Sequence, residues 1–316
     1  MGRFFLRRAL SSLLVFWLAV SLLFGMIHLV PGDPASVMLG PRATPALKAE
    51  LAQRMGLDRP LAVQLARFYA GVVRGDLGVD PFSGRRVSDM VFEQLPYTLA
   101  LVLVAIGGAS LLGIPLGCFS AVRRDSWLDR LTAVVSVAFI AIPSFVVALY
   151  LMLWLGVNWR WFPVFGAGEI GNFPDQAYHI VLPAVALGLG WVGYIARLVR
   201  ASMLEVLEEN HVRTARAFGL PERTITLHYA LRIALLPTVT ILGLGVGTTL
   251  TGALFAEVVF SRPGIGRLLY EAVLNRNYPI VMGAVLVTTG FFVLSTLASD
   301  MINAALDPRL RDERGD

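Results

Sequence analysis

Residues 98–122 read TLALVLVAIGGASLLGIPLGCFSAV, a run without one charged side chain. At roughly 1.5 Å of rise per residue it is long enough, as an α-helix, to cross the ~30 Å hydrocarbon core of a bilayer. A helix also satisfies its own backbone hydrogen bonds, which lipid cannot do for it. Five comparable runs lie outward from this one, at about 9–30, 131–157, 179–201, 238–260 and 280–304. The expected fold is therefore an all-α integral membrane protein with six transmembrane helices. Composition points the same way: 56% of the 316 residues are hydrophobic and only 16% are charged, against roughly a quarter charged in soluble domains. A soluble two-domain enzyme is excluded on that ground.

The first run follows Arg3, Arg7 and Arg8 and could be read as a secretory signal. Its core exceeds a signal's usual apolar region, and Pro31-Gly32-Asp33-Pro34 stands where small cleavage-site residues belong, so an uncleaved span is expected. Six spans place both termini on one side. Fifteen arginines fall in the N-terminus, the 123–130 loop, the 197–232 segment and the tail, against four (Arg160, Arg262, Arg267 and Arg276) in the opposite short loops. The excess marks the first set, and both termini, as cytoplasmic. The net charge of +5, in which Lys48 is the single lysine, reads as this topology rather than as affinity for nucleic acid. Cys118 is the only cysteine, so no intrachain disulfide forms.

The expected organisation is a first transmembrane helix over 1–30, an extracytoplasmic loop over 31–96, a core of five spans over 97–304 with a cytoplasmic loop at 203–237, and a cytoplasmic tail over 305–316. The outer loop carries two apolar stripes at helical spacing, Leu47, Leu51 and Met55, then Leu61, Leu65, Phe68, Tyr69 and Val72, separated by a turn at 56–60. Periodicity alone leaves open whether these helices lie on the membrane or a partner, or form a small self-packed cap. Inside the spans, Gly113, Gly117, Gly188, Gly193, Gly243 and Gly247 predict close helix packing. Pro115, Pro143 and Pro183 are candidate kinks.

Ionisable groups at membrane depth are costly and are default functional candidates. His28, Glu257 and Asp300 sit near span ends, where reaching the interface lowers that cost. Glu257 is a candidate for the pathway or an outer gate, together with Pro143 and Phe145. The carboxylate chain of a proton-coupled carrier is missing from the sequence. So is a P-loop, since Lys48 is followed by Ala49. His28, His179, His211 and His228 are scattered, with neither a Gly-x-Ser-x-Gly elbow nor a His-Glu-x-x-His helix. No catalytic residue, cofactor site or metal site is expected in this chain.

The segment 203–237 is unlike an ordinary connector. Its 203–218 part is helix-competent, Gly219 suits the left-handed residue that ends a helix, and Pro221 suits the first turn of the next. The expected product is a helix–turn–helix projection, with small Ala215 and Ala217 beside exposed Phe218 and Leu220, shaped to dock in a groove; a solvated amphipathic connector is the competing reading. This segment resembles the EAA loop of ABC importer membrane subunits in its Ala-x-x-x-Gly form (Ala215 to Gly219), with Leu236-Pro237 closing the element. Pro31-Gly32-Asp33-Pro34-Ala35, Gly56-Leu57-Asp58-Arg59-Pro60-Leu61 with Gln64, and Gly75-Asp76-Leu77-Gly78 extend the resemblance through the first third of the chain. Ile142-Pro143-Ser144-Phe145, Pro263-Gly264-Ile265-Gly266-Arg267-Leu268, Asn275-Arg276-Asn277-Tyr278-Pro279 and Asp307-Pro308-Arg309 carry it to the end. Together they identify a resemblance to permeases of dipeptide, oligopeptide, nickel and glutathione importers. Three positions depart from the pattern: Arg213 replaces the loop's initial Glu, as is common in the peptide branch, Arg262 stands where an aromatic is usual, and Ala304 sits near a usual Tyr.

The resemblance implies a type I ABC importer permease fold in a bacterial cytoplasmic (inner) membrane. The chain would form half of a translocation pathway, lined mainly by the third to fifth spans, with a second homologous permease subunit. Two ABC ATPase subunits would bind ATP and Mg, and an extracytoplasmic solute-binding protein would deliver the solute to the outer loop. The residues implied at the ATPase joint are Arg213, Thr214, Ala215, Arg216, Ala217, Phe218, Gly219 and Leu220. Peptides are the expected solute, with nickel, glutathione or haem as alternatives. A stand-alone carrier or channel and a structural membrane scaffold are the competing classes.

Overall fold

Helix boundaries in this chain follow local chemistry. Ser126 accepts a hydrogen bond from the Asp129 N–H (3.2 Å), and Asn172 one from the Asp175 N–H (3.3 Å), each a side-chain N-cap opening an apolar helix. The computed structural model of the protein describes residues 2–29, 43–54 and 58–306. Twelve helices run through them: α1 (Gly2–Leu29), α2 (Pro45–Arg54), α3 (Leu61–Val73), α4 (Val87–Val122), α5 (Trp127–Ala141), α6 (Ser144–Asn158, π-helical from Met152), α7 (Phe173–Leu207), α8 (Asn210–Ala217), α9 (residues 222–234, with a π stretch), α10 (Leu236–Val259), α11 (Ile265–Leu274) and α12 (Tyr278–Leu306). Among the described residues the only β pairing is a Val79–Arg86 bridge.

Helices α4, α7, α10 and α12 are each long and apolar enough to cross a membrane, which makes this a multi-pass membrane protein. Helices α5 and α6 meet the same test only as a pair, bent by 98°. The expected continuous span over 131–157 is thus broken, and Pro143 explains why. It has no N–H to continue the ladder, and it drives Ile142 into extended backbone (φ −83°, ψ 121°). Pro115 and Pro183, by contrast, lie inside the unbroken α4 and α7. Helix α1 carries an apolar stretch from Leu10 to Met26.

The core is built where α7 runs between α4, α5 and α10. Leu101, Val102, Ala105, Ala184, Leu187, Leu250 and Ala253 are buried together at one level, and Ile195, Val199, Met203 and Val206 at another. The six span glycines sit at helix contacts. A Cβ on Gly188 would come within 2.8 Å of the Ala105 carbonyl, and one on Gly193 would press on that of Ser136. Within the 31–96 loop, Leu65, Phe68 and Tyr69 of α3 pack on Val20 and Phe24 of α1 and Met282 of α12, while Leu47 of α2 stays exposed. The Tyr69 hydroxyl also donates to the Trp17 carbonyl (3.1 Å). Leu61, at the start of the same stripe, and Val63, on the opposite face of α3, stay exposed. The 31–35 motif, Met55, the first two residues of the expected 56–60 turn and the 307–309 motif lie outside the described residues.

Candidate functional site

The expected 203–218 helix is interrupted. Helix α7 stops at Leu207, Glu209 turns extended (φ −70°, ψ 155°), and α8 starts afresh at Asn210. Glu205, Glu208 and Glu209 at the end of α7 oppose the helix dipole there, whereas Glu208 and Glu209 just ahead of α8 are favoured by it. Helix α8 then buries Val212 and Ala215 among Val206, Ile225 and Ala230. Gly219, at φ +76°, makes the left-handed turn that ends the element. Leu220 packs half-buried on the same cluster, so it faces inward with Ala215 and is not exposed as the sequence suggested.

The outward surface of this knob is Arg213, Thr214, Arg216, Ala217 and Phe218. Phe218 is 82% exposed, an apolar ring held at the tip of a packed turn. Arg216 crosses to Glu222 at the start of α9 (2.7 Å) and braces the turn; that hydrogen bond raises the Arg216 pKa further. Beneath the knob a buried fastener joins three helices. Asp129 of α5 accepts both Nε (2.6 Å) and Nη2 (2.7 Å) of Arg200 on α7. It also accepts the Ser120 hydroxyl from α4 and the Asp125 N–H (3.0 Å).

At the other end of α10, Glu257 is fully buried and does not reach an interface. Its carboxylate accepts the Thr98 hydroxyl from α4 (2.6 Å) and the Arg267 N–H at the start of α11 (3.0 Å). Thr98 in turn accepts the Ile265 N–H (2.8 Å). The first amides of α11 are thereby consumed by one carboxylate and its hydroxyl partner, which is what a helix N-terminus asks of an anion. Gly264 and Gly266 permit this, because a side chain on either would overlap the Glu257 carboxylate. Glu257, expected at the pathway or an outer gate, is enclosed in this chain as a cap on α11, with buried Arg262 contributing a compensating charge.

Behind that elbow, Asp80 and Asn277 are both buried and joined by an Asn277 Nδ2 to Asp80 hydrogen bond (2.6 Å). Burial works against the Asp80 carboxylate, but bonds from Ser83, Asn277 and the Phe82 and Ser83 amides outweigh it and hold its pKa below the usual range. Leu77 and Val87 pack there on Ile280, Val281 and Ala284. Sequence reasoning missed the Thr98, Asp129–Arg200 and Asp80–Asn277 pairings. Asp129 alone carried a signal, as a carboxylate opposite the Arg-rich end of the fourth run.

Pro143 does reach an open site. With Phe139, Ser144, Trp191, Tyr194 and Thr249 it lines a groove of about 380 Å³ between the α5–α6 break, α7 and α10. Phe145 lies outside this lining, its ring 5.9 Å from that of Phe255. Among the described residues no three His, Cys, Asp or Glu side chains are grouped to hold a metal ion.

Known proteins match nearly the whole chain. Residues 113–312 match the family described as binding-protein-dependent transport system inner membrane component, and residues 1–102 match its N-terminal counterpart. The chain is 36% identical to the dipeptide transport system permease protein of Escherichia coli strain K12, over 98% of this chain and 99% of that one. It is 37% identical to the glutathione transport system permease protein of Salmonella paratyphi A, again over 98% and 99%. A probable peptide ABC transporter permease protein of Sinorhizobium fredii is 34% identical over 98% of this chain and 100% of its own length. In structure, the fold is similar to that of a chain in the inward-facing MetNI methionine ABC transporter, at a TM-score of 0.57 and 20% identity, over 69% of this chain and 96% of that one.

Proposed function

The chain belongs to the family of binding-protein-dependent inner-membrane transport components, and from that premise we propose that it forms half of the translocation pathway of an ATP-driven peptide importer in a bacterial cytoplasmic membrane. It is a membrane subunit, not an enzyme. In this reading all six apolar runs cross the bilayer, both termini are cytoplasmic, and a second homologous permease completes the pore. Two ABC ATPases bind the ATP and Mg, and an extracytoplasmic binding protein delivers di- or oligopeptides to the α2–α3 side.

The observation that carries the reading is the knob at Arg213–Leu220. A rigid helix–turn whose buried side is continuous with the ends of α7 and α10, and whose tip is an exposed phenylalanine, is suited to sit in an ATPase cleft and pass its motion to the spans. The Asp129–Arg200 pair extends that linkage to α5. Replacing Gly219 by Asp puts a side chain at φ +76°, strained by about 1 kcal/mol, and sets an acidic group beside Phe218. The variant is expected to insert and fold yet lose solute-stimulated ATP hydrolysis in the assembled complex. Transport that survives Gly219→Asp contradicts the coupling role.

A second solute has specific support in the 37% identical relative named a glutathione permease. Uptake of labelled glutathione in competition with dipeptides separates the two solutes.

A further inference from the structure

Helix α3 has two unlike faces. Leu65, Phe68 and Tyr69 are spent on α1 and α12, while Ala66, Arg67, Ala70 and Val73 stay exposed. Residues 61–73 include no acidic side chain, and Arg67 and Arg74, two turns apart, extend the exposed side. A groove of about 490 Å³ opens between α3 and α1, lined by Trp17, Ser21, Tyr69, Ala70, Val73 and Arg74. It lies at membrane depth, because Trp17 and Ser21 belong to the apolar stretch Leu10–Met26 of α1, which packs through Val20 and Phe24 on the span α12.

The polar groups of this groove are unequally engaged. The Ser21 and Tyr69 hydroxyls pair with each other and reach the Trp17 carbonyl (2.8 and 3.1 Å). The Trp17 and Tyr69 rings meet edge to face at 4.4 Å, a fixed aromatic wall. Arg74 is different. Its backbone N–H closes α3 on the Gly71 and Val72 carbonyls, but its side chain is exposed and has no hydrogen bond or ion pair among the described residues. Asp76, the first acidic residue after it, is taken by the Gly78 N–H (2.9 Å). An unpaired cation at the rim of an aromatic and aliphatic groove, in a protein bathed in lipid, suits a ligand with an anionic head and an apolar tail.

We infer that this groove is a binding site for an anionic phospholipid, its phosphate held by Arg74 and its glycerol end and first acyl carbons against Trp17, Tyr69 and Val73. A guanidinium offers paired N–H donors to phosphate oxygens, and Trp and Tyr are the side chains that sit at the headgroup level of a bilayer. The rest of the acyl chains run along Leu14 and Leu18, exposed beside Trp17 and Ser21 on α1. A soluble phosphate matches only the Arg74 end. A zwitterionic lipid brings its own cation, which Arg67 and Arg74 repel, so net-negative headgroups are selected. The lipid bridges α1 and α3, elements outside the third to fifth spans, and is not the solute.

The test uses the complete importer in phosphatidylcholine proteoliposomes, doped in turn with trace phosphatidylglycerol or phosphatidylcholine that carries a photoreactive diazirine on one acyl chain. After illumination, adducts are mapped by peptide mass spectrometry; neither ATP nor peptide is needed, so failure here and failure of the importer reading are told apart. On the peptides holding Trp17 and residues 70–74, phosphatidylglycerol adducts should exceed phosphatidylcholine adducts by about fivefold, the worth of one arginine near an anionic surface. Arg74→Gln should bring the two lipids within about twofold, whereas Arg74→Lys should keep most of the preference. Equal adducts from both lipids in the wild type, or a preference that survives Arg74→Gln, overturns the inference. An excess of water-soluble glycerophosphoglycerol should leave the adducts in place; if it removes them, phosphate alone is the ligand and lipid binding is overturned. Ala70→Trp fills the groove from an exposed position. It should lower adducts of both lipids there by at least about threefold while those on other spans stay. Adducts unchanged by Ala70→Trp, or none at this site in the wild type because a partner subunit covers it, overturn the inference as well. If Arg74→Gln fails to assemble, the wild-type ratio and Ala70→Trp decide.

Discussion

The interruption between α10 and α11 and the one between α5 and α6 leave the same kinds of backbone group without helical partners, yet only the first is closed by the chain itself. At the α10–α11 elbow a buried carboxylate, a threonine hydroxyl and two glycines capture the first amides of α11. At the α5–α6 break the helix start is uncapped, and a neighbouring threonine hydroxyl stays unpaired. A break whose backbone amides are satisfied acts as a joint fixing the angle between elements.

The comparison breaks most visibly at Glu257. Glu257→Ala strands buried amides and the Arg262 charge, and should cost about 3–5 kcal/mol, read as a collapse in folded yield or a large drop in Tm in detergent. Glu257→Gln keeps an acceptor and should retain much of that stability. Gly264→Ala forces a methyl onto the same carboxylate, at about 1–3 kcal/mol by the same measurement. Asp80→Asn, behind the elbow, weakens a hydrogen-bonded carboxylate by about 1 kcal/mol. Because the native Asp80 pKa is lowered, its stabilisation is complete above the unfolded value near 4 and is lost as pH falls through the lower native value. The wild-type Tm should therefore approach that of Asp80→Asn on acidification below about pH 4, and a gap that widened would contradict this. The smallest effect is expected at the open break: Pro143→Ala should leave Tm nearly unchanged, within about 0.5 kcal/mol, since no native hydrogen bond is removed there.

Legibility tracked sequence distance. All six apolar runs fall on helices, because a span's hydropathy is local. The start of the second was less visible: α4 begins at Val87, its first turns disguised by Asp89, Glu93 and Pro96. The Gly219 turn was readable from one glycine, whereas the inward orientation of Ala215 and Leu220 depends on α9 folding back over α8. Glu257 looked like an interfacial carboxylate because its partner Thr98 lies 159 residues away. The Asp129–Arg200 pair is hidden in the same way across 71 residues. The matched motifs 75–78, 263–268 and 275–279 looked separate in the sequence, and the fold brings them to one elbow.

The central claim is that this chain conducts solute only as part of an ATP-driven complex. The direct measurement is uptake of labelled di- to pentapeptides by proteoliposomes holding the chain with its co-purified subunits and a solute-binding protein, compared between ATP and a non-hydrolysable analogue. The account predicts accumulation with ATP and none with the analogue; accumulation that proceeds without hydrolysis would contradict it.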